Sequence, residues 1–472
     1  MKKFKAFLVT LIMTLTAISV LTLVPENYEA GNLSIKEKKE IISDIAREYD
    51  IPPEILKAIA YEETGYKQFN EDGSPYISTD GGIGIMQVTP GNIDFSVNEE
   101  KLKTDIRYNI EVGAKVLDNK WDLDTPKINN GSRHILENWY FAIAAYNGLS
   151  RGNDPNVNSG DTYQFGVYKR IEGASLIFWD ESPDYVYFDF PKFDINYEDG
   201  DNRMHFPEGK SYVTETVTPS QQMYEQGDIV YIDERDGSVS FYKGEYDGNP
   251  DKKLWPYTPL TIKGEPQELN DIDNDYVYYK VESAEDTGQV ASAYLNKESK
   301  DLMFSDPIDD KRAAALAFAA MNDYVQGYQD GSFGSKDKLR REHVAVILDN
   351  ILNLSAPDSY EMISDDVKKT NDYYEQLREV EYHKFLGGGG ELRPNEYLTR
   401  SQMAQVMTEA FDSYYSEPTE THTFKDQGKI WNSEAVNKIY QNDITVADPF
   451  RPNEDITRSQ FAIFIYRTMV DF

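Results

Sequence analysis

Glu63 is the carboxyl of this chain best placed to handle a proton. A helix is expected from about Pro52, and at about 100° per residue Ile55, Leu56, Ile59 and Ala60 form an apolar stripe centred near 70°. On the same wheel Glu63 falls near about 80°, inside the stripe, and Glu62 near about 340°, toward its edge. Gly65 then supplies a helix stop. Burial without a cation raises a carboxyl pKa. An acid that stays protonated near neutrality can give its proton to a leaving oxygen. From this helix alone, a buried Glu that caps or bridges structurally reads the same way. Asp80 offers a second carboxylate, and two carboxyls roughly 6.5–9.5 Å apart would permit inverting hydrolysis. Asp80 equally suits a turn before Gly81.

A second chemistry sits in the C-terminal third. Phe304-Ser-Asp306, Ile363-Ser-Asp365 and Phe424-Lys-Asp426 each open a repeat. Arg341, Arg400 and Arg458 each close one, at intervals of 59 and 58 residues. Turn glycines such as Gly327 and Gly387 lie between. An arginine is a planar, permanently charged fork suited to a carboxylate. A glycine turn lets backbone N–H groups approach a ligand. The alternative for each arginine is a salt bridge to an acid of a neighbouring unit.

These side chains need several separate supports. The chain has 472 residues, enough for two to four domains at about 100–200 residues each. Aromatics make up 13% of it, including 34 tyrosines, which is ample for packed cores. The formal net charge is −34, and no basic region exists to displace counterions from phosphates, so nucleic-acid binding is excluded. The absence of cysteine excludes disulfides, thiolate catalysis and zinc–thiolate sites. Five histidines without an HExxH pair give no histidine-built metal site. No metal and no cofactor is expected.

Residues 1–30 read as an export signal: Lys2, Lys3 and Lys5, then an apolar run from Ala6 to Val24. An uncleaved membrane anchor is the alternative, because the run is long for a signal core. Residues 33–180 look helical. Residues 181–221 receive no assignment and are taken as a linker. Residues 222–298 look β-rich, with runs such as Tyr276-Val-Tyr-Tyr-Lys-Val281. Three helical repeats follow at 302–352, 361–413 and 422–472.

Four motifs in order give the helical domain a resemblance to the lytic transglycosylases: Glu63-Thr-Gly-Tyr66, Ser78-Thr-Asp-Gly-Gly-Ile-Gly84-Ile-Met86-Gln87, Asn109-Ile-Glu-Val-Gly113 and Ala144-Ala145-Tyr146-Asn147-Gly148. The resemblance implies a lysozyme-like fold acting on peptidoglycan. It makes Glu63 the only catalytic carboxyl, protonating the bridging oxygen and then helping the muramoyl 6-hydroxyl close onto C1. It places Ser78, Met86 and Gln87 along the subsites, and Tyr146 and Asn147 at the cleft floor, holding Glu63 or an N-acetyl group. Met86 and Tyr146 could equally be core residues, and Asn147 a helix cap. The family's cleft tyrosine falls on Tyr163, although Phe165 occupies its usual offset and Tyr168 competes. A hydrolytic muramidase of similar fold and a non-catalytic glycan-binding domain are the alternatives.

The repeats resemble S-layer homology modules through Leu398-Thr399-Arg400-Ser401-Gln402, Ile456-Thr457-Arg458-Ser459-Gln460 and the preceding Leu392-Arg-Pro394 and Phe450-Arg-Pro452. The first unit has Arg340 where Thr is usual, and the third has Val446-Ala447-Asp448 where the turn glycine belongs. That resemblance implies a helical pseudo-trimer gripping an acidic, often pyruvylated, wall polysaccharide. Arg341, Arg400, Arg458, Asp306, Asp365, Asp426, Gly327 and Gly387 would be its contacts. The middle segment is similar to a bacterial SH3-like module, with Gln289 where Trp is usual; a spacer fits as well. The expected fold class is therefore multidomain α+β: a helical lysozyme-like domain, a small SH3-like β-rich domain and an all-α pseudo-trimeric anchor. The expected partners are peptidoglycan glycan strands and that acidic polysaccharide, with no nucleic acid and no membrane beyond the export signal. The expected place is outside the cell, at the wall or S-layer.

Overall fold

The computed structural model describes residues 33–158, 160–176, 188–234, 237–300, 302–306, 309–387 and 390–470. The export-signal expectation lies outside the described residues. No described helix is long and apolar enough to cross a membrane.

The first domain is built around one buried helix. Helix α1 (Ile35–Glu48) starts at Ser34, whose hydroxyl accepts the Glu37 N–H while Glu37 reaches back, a reciprocal cap. Helix α2 (Pro53–Thr64) has Pro53 in its first turn and stops at Gly65, whose φ of 59° a side chain would disfavour. Pro53 through Ala60 are all buried, so the first two turns of α2 are enclosed on every side and only its last turn opens outward. Helix α2 packs on α1 and on α6 (Tyr163–Ala174), and α3 (Glu99–Thr104), α4 (Ile106–Trp121) and α5 (Tyr140–Asn147) complete the same core. Strand β1 (Lys127–Ile128) pairs in parallel with β2 (Ser211–Tyr212), which belongs to the segment after α6.

That segment corrects the linker expectation for 181–221. Within its described part, Phe188, Phe193 and Tyr212 are core residues beside Tyr140, Phe141 and Tyr168. Glu137 accepts the Thr218 N–H at 2.9 Å, and Glu54 of α2 accepts Ser220 Oγ–H at 2.7 Å and Gln221 N–H at 2.8 Å. Residues 188–222 are a strap of the first domain, because their aromatics fill volume its helices leave open.

The second domain is a five-stranded antiparallel sheet. It contains β3 (Ile229–Ile232), β6 (Pro259–Ile262), β7 (Tyr278–Glu282), β8 (Thr287–Ala291) and β9 (Leu295–Asn296) in the order β8-β7-β6-β3-β9. The hairpin β4 (Val239–Phe241) and β5 (Lys252–Leu254) packs beside it. Tyr279 is buried, and its hydroxyl oxygen accepts the Tyr224 N–H at 3.3 Å. Gln289 is bonded on both sides, to Tyr246 N–H and Gln267. These tyrosines and Gln289 serve sheet packing.

The three repeats close into a ring. They contain α7 (Asp310–Met321) and α8 (Arg341–Leu352), then α9 (Tyr374–Tyr382) and α10 (Arg400–Ala410), then α11 (Ser433–Gln441) and α12 (Arg458–Met469). The second helix of each unit packs on the first helix of the next: α8 on α9, α10 on α11, α12 on α7. At the centre Leu339 N–H donates to Ile456 C=O, Ile456 N–H to Leu398 C=O, and Leu398 N–H to Leu339 C=O, at 2.8–3.0 Å. Three equivalent donors thus satisfy three equivalent acceptors with no open edge. Thr399 and Thr457 cap α10 and α12 in reciprocal boxes with Gln402 and Gln460, so Gln fills the role Glu would have. Arg340 makes no such side-chain bond at α8.

Candidate functional site

Glu63 stands in the last turn of α2, and Tyr163 opens α6, which packs against it. Tyr163 Oη donates to Glu63 Oε1 at 2.7 Å. Glu63 is half-buried and Glu62 exposed. Burial raises the Glu63 carboxyl to about 7; the Tyr163 hydrogen bond pulls it down, and the charges of Asp80 and Glu62 push it up. Burial also drives the hydroxyls of Tyr163 and Tyr146 well above their ordinary range, so both stay neutral donors.

The loop carrying Ser78 to Gln87 faces this pair. Ser78 Oγ accepts Gly82 N–H at 2.9 Å and donates to Asp80 Oδ1 at 2.5 Å. Asp80 is exposed, and the Ser78 hydroxyl holds its carboxyl below the usual range. It therefore ties the turn, while its charge still reaches Glu63. Gln87 is half-buried and adopts a φ of 46°, with Nε2 donating to Gly84 C=O at 2.8 Å. Met86 departs from the subsite expectation. Its side chain is fully buried, and a Cβ on Gly113 would lie 2.6 Å from Met86 Cβ, so Gly113 exists to admit it. Its backbone carbonyl does face the site and accepts Tyr146 Oη–H at 2.8 Å.

Tyr146 is half-buried and close enough for its titration to feel Glu63. Asn147 is exposed, and its Oδ1 accepts Asn153 Nδ2–H at 3.0 Å. Phe165 is exposed, and Tyr168 is buried with its hydroxyl on Leu136 C=O, so neither meets Glu63. Sequence reasoning missed two buried amides. Asn153 accepts Tyr163 N–H at 3.2 Å and ties α6 to α5 through Asn147 and Gly148. Gln68 accepts Ile85 N–H at 2.9 Å beneath the loop. Neither has a periodic signal; a polar residue next to the Glu63 motif is the only hint for Gln68.

The repeat motifs form a lock. Asp306 accepts Phe333 N–H and Ser335 N–H, and the Phe333 carbonyl accepts Arg458 Nε–H at 3.0 Å. Asp426 accepts Phe450 N–H at 2.8 Å and Arg451 N–H at 2.7 Å, and the Phe450 carbonyl accepts Arg400 Nε–H at 2.8 Å. In the second unit the acceptor of Leu392 and Arg393 N–H is Asp366, and Leu392 C=O accepts Arg341 Nε–H at 2.5 Å. Asp365 is exposed and out of this register, a correction caused by one extra residue in the opening motif. Each arginine therefore binds a neighbouring unit's backbone carbonyl instead of a neighbouring acid. Arg341 and Arg400 are buried at 4% and 3% exposure, and burial pushes Arg400 down to about 10. These two are staples within the ring and not open forks. Arg458 is half-buried over Tyr328. Gly327 packs so closely on Phe304 that a Cβ would lie 2.4 Å away by contact, and Gly387 turns at a φ of 93°. Between the second and third units, Gln405, Trp431, Asn432, Glu434 and Lys438 line an open groove of about 750 Å³.

Among the described residues no group of three or more His, Cys, Asp or Glu could hold a metal ion.

Residues 40–161 match the Transglycosylase SLT domain family, and residues 423–462 match the S-layer homology domain. The chain thus carries an SLT domain, holding Glu63, the Ser78–Gln87 loop, Tyr146 and Asn147, and an S-layer homology domain in its third repeat. It is 31% identical over 153 residues to the Surface-layer 125 kDa protein of Lysinibacillus sphaericus, covering 31% of this chain and 13% of that protein. It is 29% identical over 178 residues to Exoglucanase XynX of Acetivibrio thermocellus (35% of this chain, 16% of that one). To the Amylopullulanase of Thermoanaerobacterium thermosulfurigenes it is 27% identical over 206 residues (41% and 11%). The chain spans less than a fifth of the length of each of these relatives.

Proposed function

We propose that the chain cleaves the MurNAc-β-1,4-GlcNAc bond of peptidoglycan glycan strands, with Glu63 as acid and then base. The supporting observation is the Glu63–Tyr163 pair: a half-buried carboxyl raised to about 7 beside a neutral donor. Tyr163 occupies Oε1, which leaves Oε2 to carry the proton toward the bridging oxygen. Once that oxygen has taken the proton, the carboxylate accepts one from the muramoyl 6-hydroxyl as it closes onto C1, leaving a 1,6-anhydro end. Tyr163 stabilises the carboxylate formed midway. Tyr146, Asn147, Ser78 and Gln87 would line the glycan cleft beside Glu63.

The second reading is a hydrolytic muramidase of the same architecture. The charge of Asp80 reaching Glu63 favours it, because such a carboxylate could hold a water. Digestion of purified walls tests both readings. Wild type should release fragments that Glu63→Gln does not, and equal release by the two would end the catalytic reading. Mass spectrometry then separates the products, since an anhydro end is one water lighter than a reducing end.

The repeat ring is proposed to anchor the enzyme to an acidic, pyruvylated wall polysaccharide, placing it at the cell surface. The S-layer homology match and the likeness to a surface-layer protein support that reading. Half-buried Arg458 and the Trp431 groove are its contact surfaces, while the buried staples keep them in shape. Sedimentation with purified wall polysaccharide tests it: Trp431→Ala should lower retention, and unchanged retention would remove that groove.

A further inference from the structure

The second domain reaches into the first directly behind its acid. Asp275 lies on the connection between β6 and β7 and is 1% exposed. Its Oδ1 accepts Tyr66 Oη–H at 2.7 Å and pairs with Lys39 Nζ at 2.7 Å. Its Oδ2 accepts Arg170 Nε–H at 2.8 Å. Its N–H donates to Ala174 C=O at 2.7 Å, and its carbonyl accepts Lys57 Nζ–H at 2.8 Å. Glu268 of the same connection accepts Lys57 Nζ–H on both oxygens, at 2.8 and 3.0 Å, and the Ser43 hydroxyl.

Lys39 comes from α1, and the other donors come from the elements that carry the reacting pair or adjoin them. Tyr66 follows the Gly65 cap, three residues beyond Glu63. Lys57 is on α2 itself, and Arg170 lies two turns beyond Tyr163 on α6. The face of α2 carrying Glu54, Lys57 and Tyr61 points roughly opposite Glu63, about 150° around the helix. Asp275 thus holds α6 through its carboxylate on Arg170, and α2 through Tyr66 just beyond its cap and through its backbone carbonyl on Lys57, from the side away from the cleft. The Glu63–Tyr163 distance depends on how those two helices sit, and a shift of about 1 Å in reacting groups costs about a hundredfold in rate.

We propose that Asp275 is a positioning residue for Glu63 and Tyr163, which makes the β-domain a working part of the catalytic unit. This rests on the glycan-cleaving reading above. The test uses the full chain with Asp275→Asn and, as the gentler variant, Tyr66→Phe, which removes one hydroxyl and keeps both ion pairs. On wall glycan, kcat falls about tenfold to a hundredfold in Asp275→Asn and about threefold to tenfold in Tyr66→Phe, with KM within about twofold of wild type. Adding Tyr66→Phe to Tyr163→Phe costs little further, because both act through one contact. Should Asp275→Asn not fold, Tyr66→Phe carries the test alone. A folded Tyr66→Phe with wild-type kcat overturns the proposal, and so does full additivity with Tyr163→Phe.

A readout without turnover separates this from the function itself. The Glu63 carboxyl, faced by Tyr163, Tyr146, Asp80 and Glu62, is titrated by carbon NMR with labelled glutamate. Loosening the helices admits water and lengthens the Tyr163 hydrogen bond; burial is the larger of the two influences on Glu63, so its midpoint falls by about half a pH unit or more in Tyr66→Phe. An inactive wild type with that shift would end the cleavage reading and leave the positioning intact. An active wild type whose midpoint and kcat ignore Tyr66→Phe would do the reverse.

Discussion

Burial and one hydroxyl act on Glu63 in opposite directions, and their balance sets the pH range of the proposed cleavage. Burial dominates and raises the carboxyl to about 7, so the acid form is abundant below that pH and disappears above it. Tyr163→Phe removes the hydrogen bond that favours the carboxylate, so the alkaline limb of kcat/KM should move to higher pH as kcat drops; a limb moving to lower pH would count against the pair. Stability follows the same group. A carboxyl raised on folding keeps its full contribution below its unfolded value of 4.5 and loses stability as pH rises from there through about 7. Glu63→Gln should therefore unfold with more difficulty than wild type at pH 8, by on the order of 3 kcal/mol, and equally at pH 4, measured by denaturant titration. The inward register of Glu63 was readable because a 100° wheel is a property of the helix itself. Tyr163 emerged only from motif likeness, since Phe165 sat at the expected offset. Asn153 and Gln68 were beyond reach because they act through backbone groups of loops that no periodicity describes.

At the level of elements, α2 shows what a single wheel hides. The apolar stripe was visible, but Glu54 and Lys57 on the opposite face look solvated in sequence and are buried against the strap and the β-domain. A buried charge is legible only through its partner, and here the partners lie more than 160 residues away. The repeats show the reverse. Their arginine spacing announced three repeats and the S-layer homology resemblance a ring, while the carbonyl acceptors stayed invisible because every residue has one. The aspartates make this testable. Asp366 satisfies two backbone N–H groups, and Asp365 is exposed. Asp366→Ala should destabilise the ring by about 1–3 kcal/mol, and Asp365→Ala by less than about 0.5 kcal/mol, read by thermal unfolding; equal effects would restore the sequence register. Arg400→Ala should cost about 2–4 kcal/mol and reduce wall retention only as the ring loosens. Retention lost from a ring with unchanged unfolding would make Arg400 a direct contact after all.

Across the whole molecule the β-domain connects the other two parts. On one side it holds α2 and α1 through Glu268 and Asp275. On the other, Lys252 of β5 joins Asp286 at 2.7 Å and Asp310 at 2.6 Å, and Tyr466 Oη donates to Pro256 C=O at 2.8 Å. Asp310 opens α7 and is 1% exposed, where its charge also suits the helix N-terminus. A spacer would leave the parts free to move, whereas buried ion pairs across both junctions resist it. Removing Lys252 strands the Asp310 carboxylate without its cation. Lys252→Ala should therefore cost about 2–4 kcal/mol, and Asp310→Asn less. The double variant should fall short of the sum, because the Lys252–Asp310 pair is already lost in either single change. The cost belongs to the junction between β-domain and ring, so calorimetry should show the ring unfolding as a separate, earlier transition. Turnover of short soluble glycans should stay within about twofold of wild type, since Asp275 and its donors lie across the other junction. An endotherm unchanged in shape and position would mean that Lys252 is a surface pair, and that the first domain and the repeat ring unfold without regard to each other.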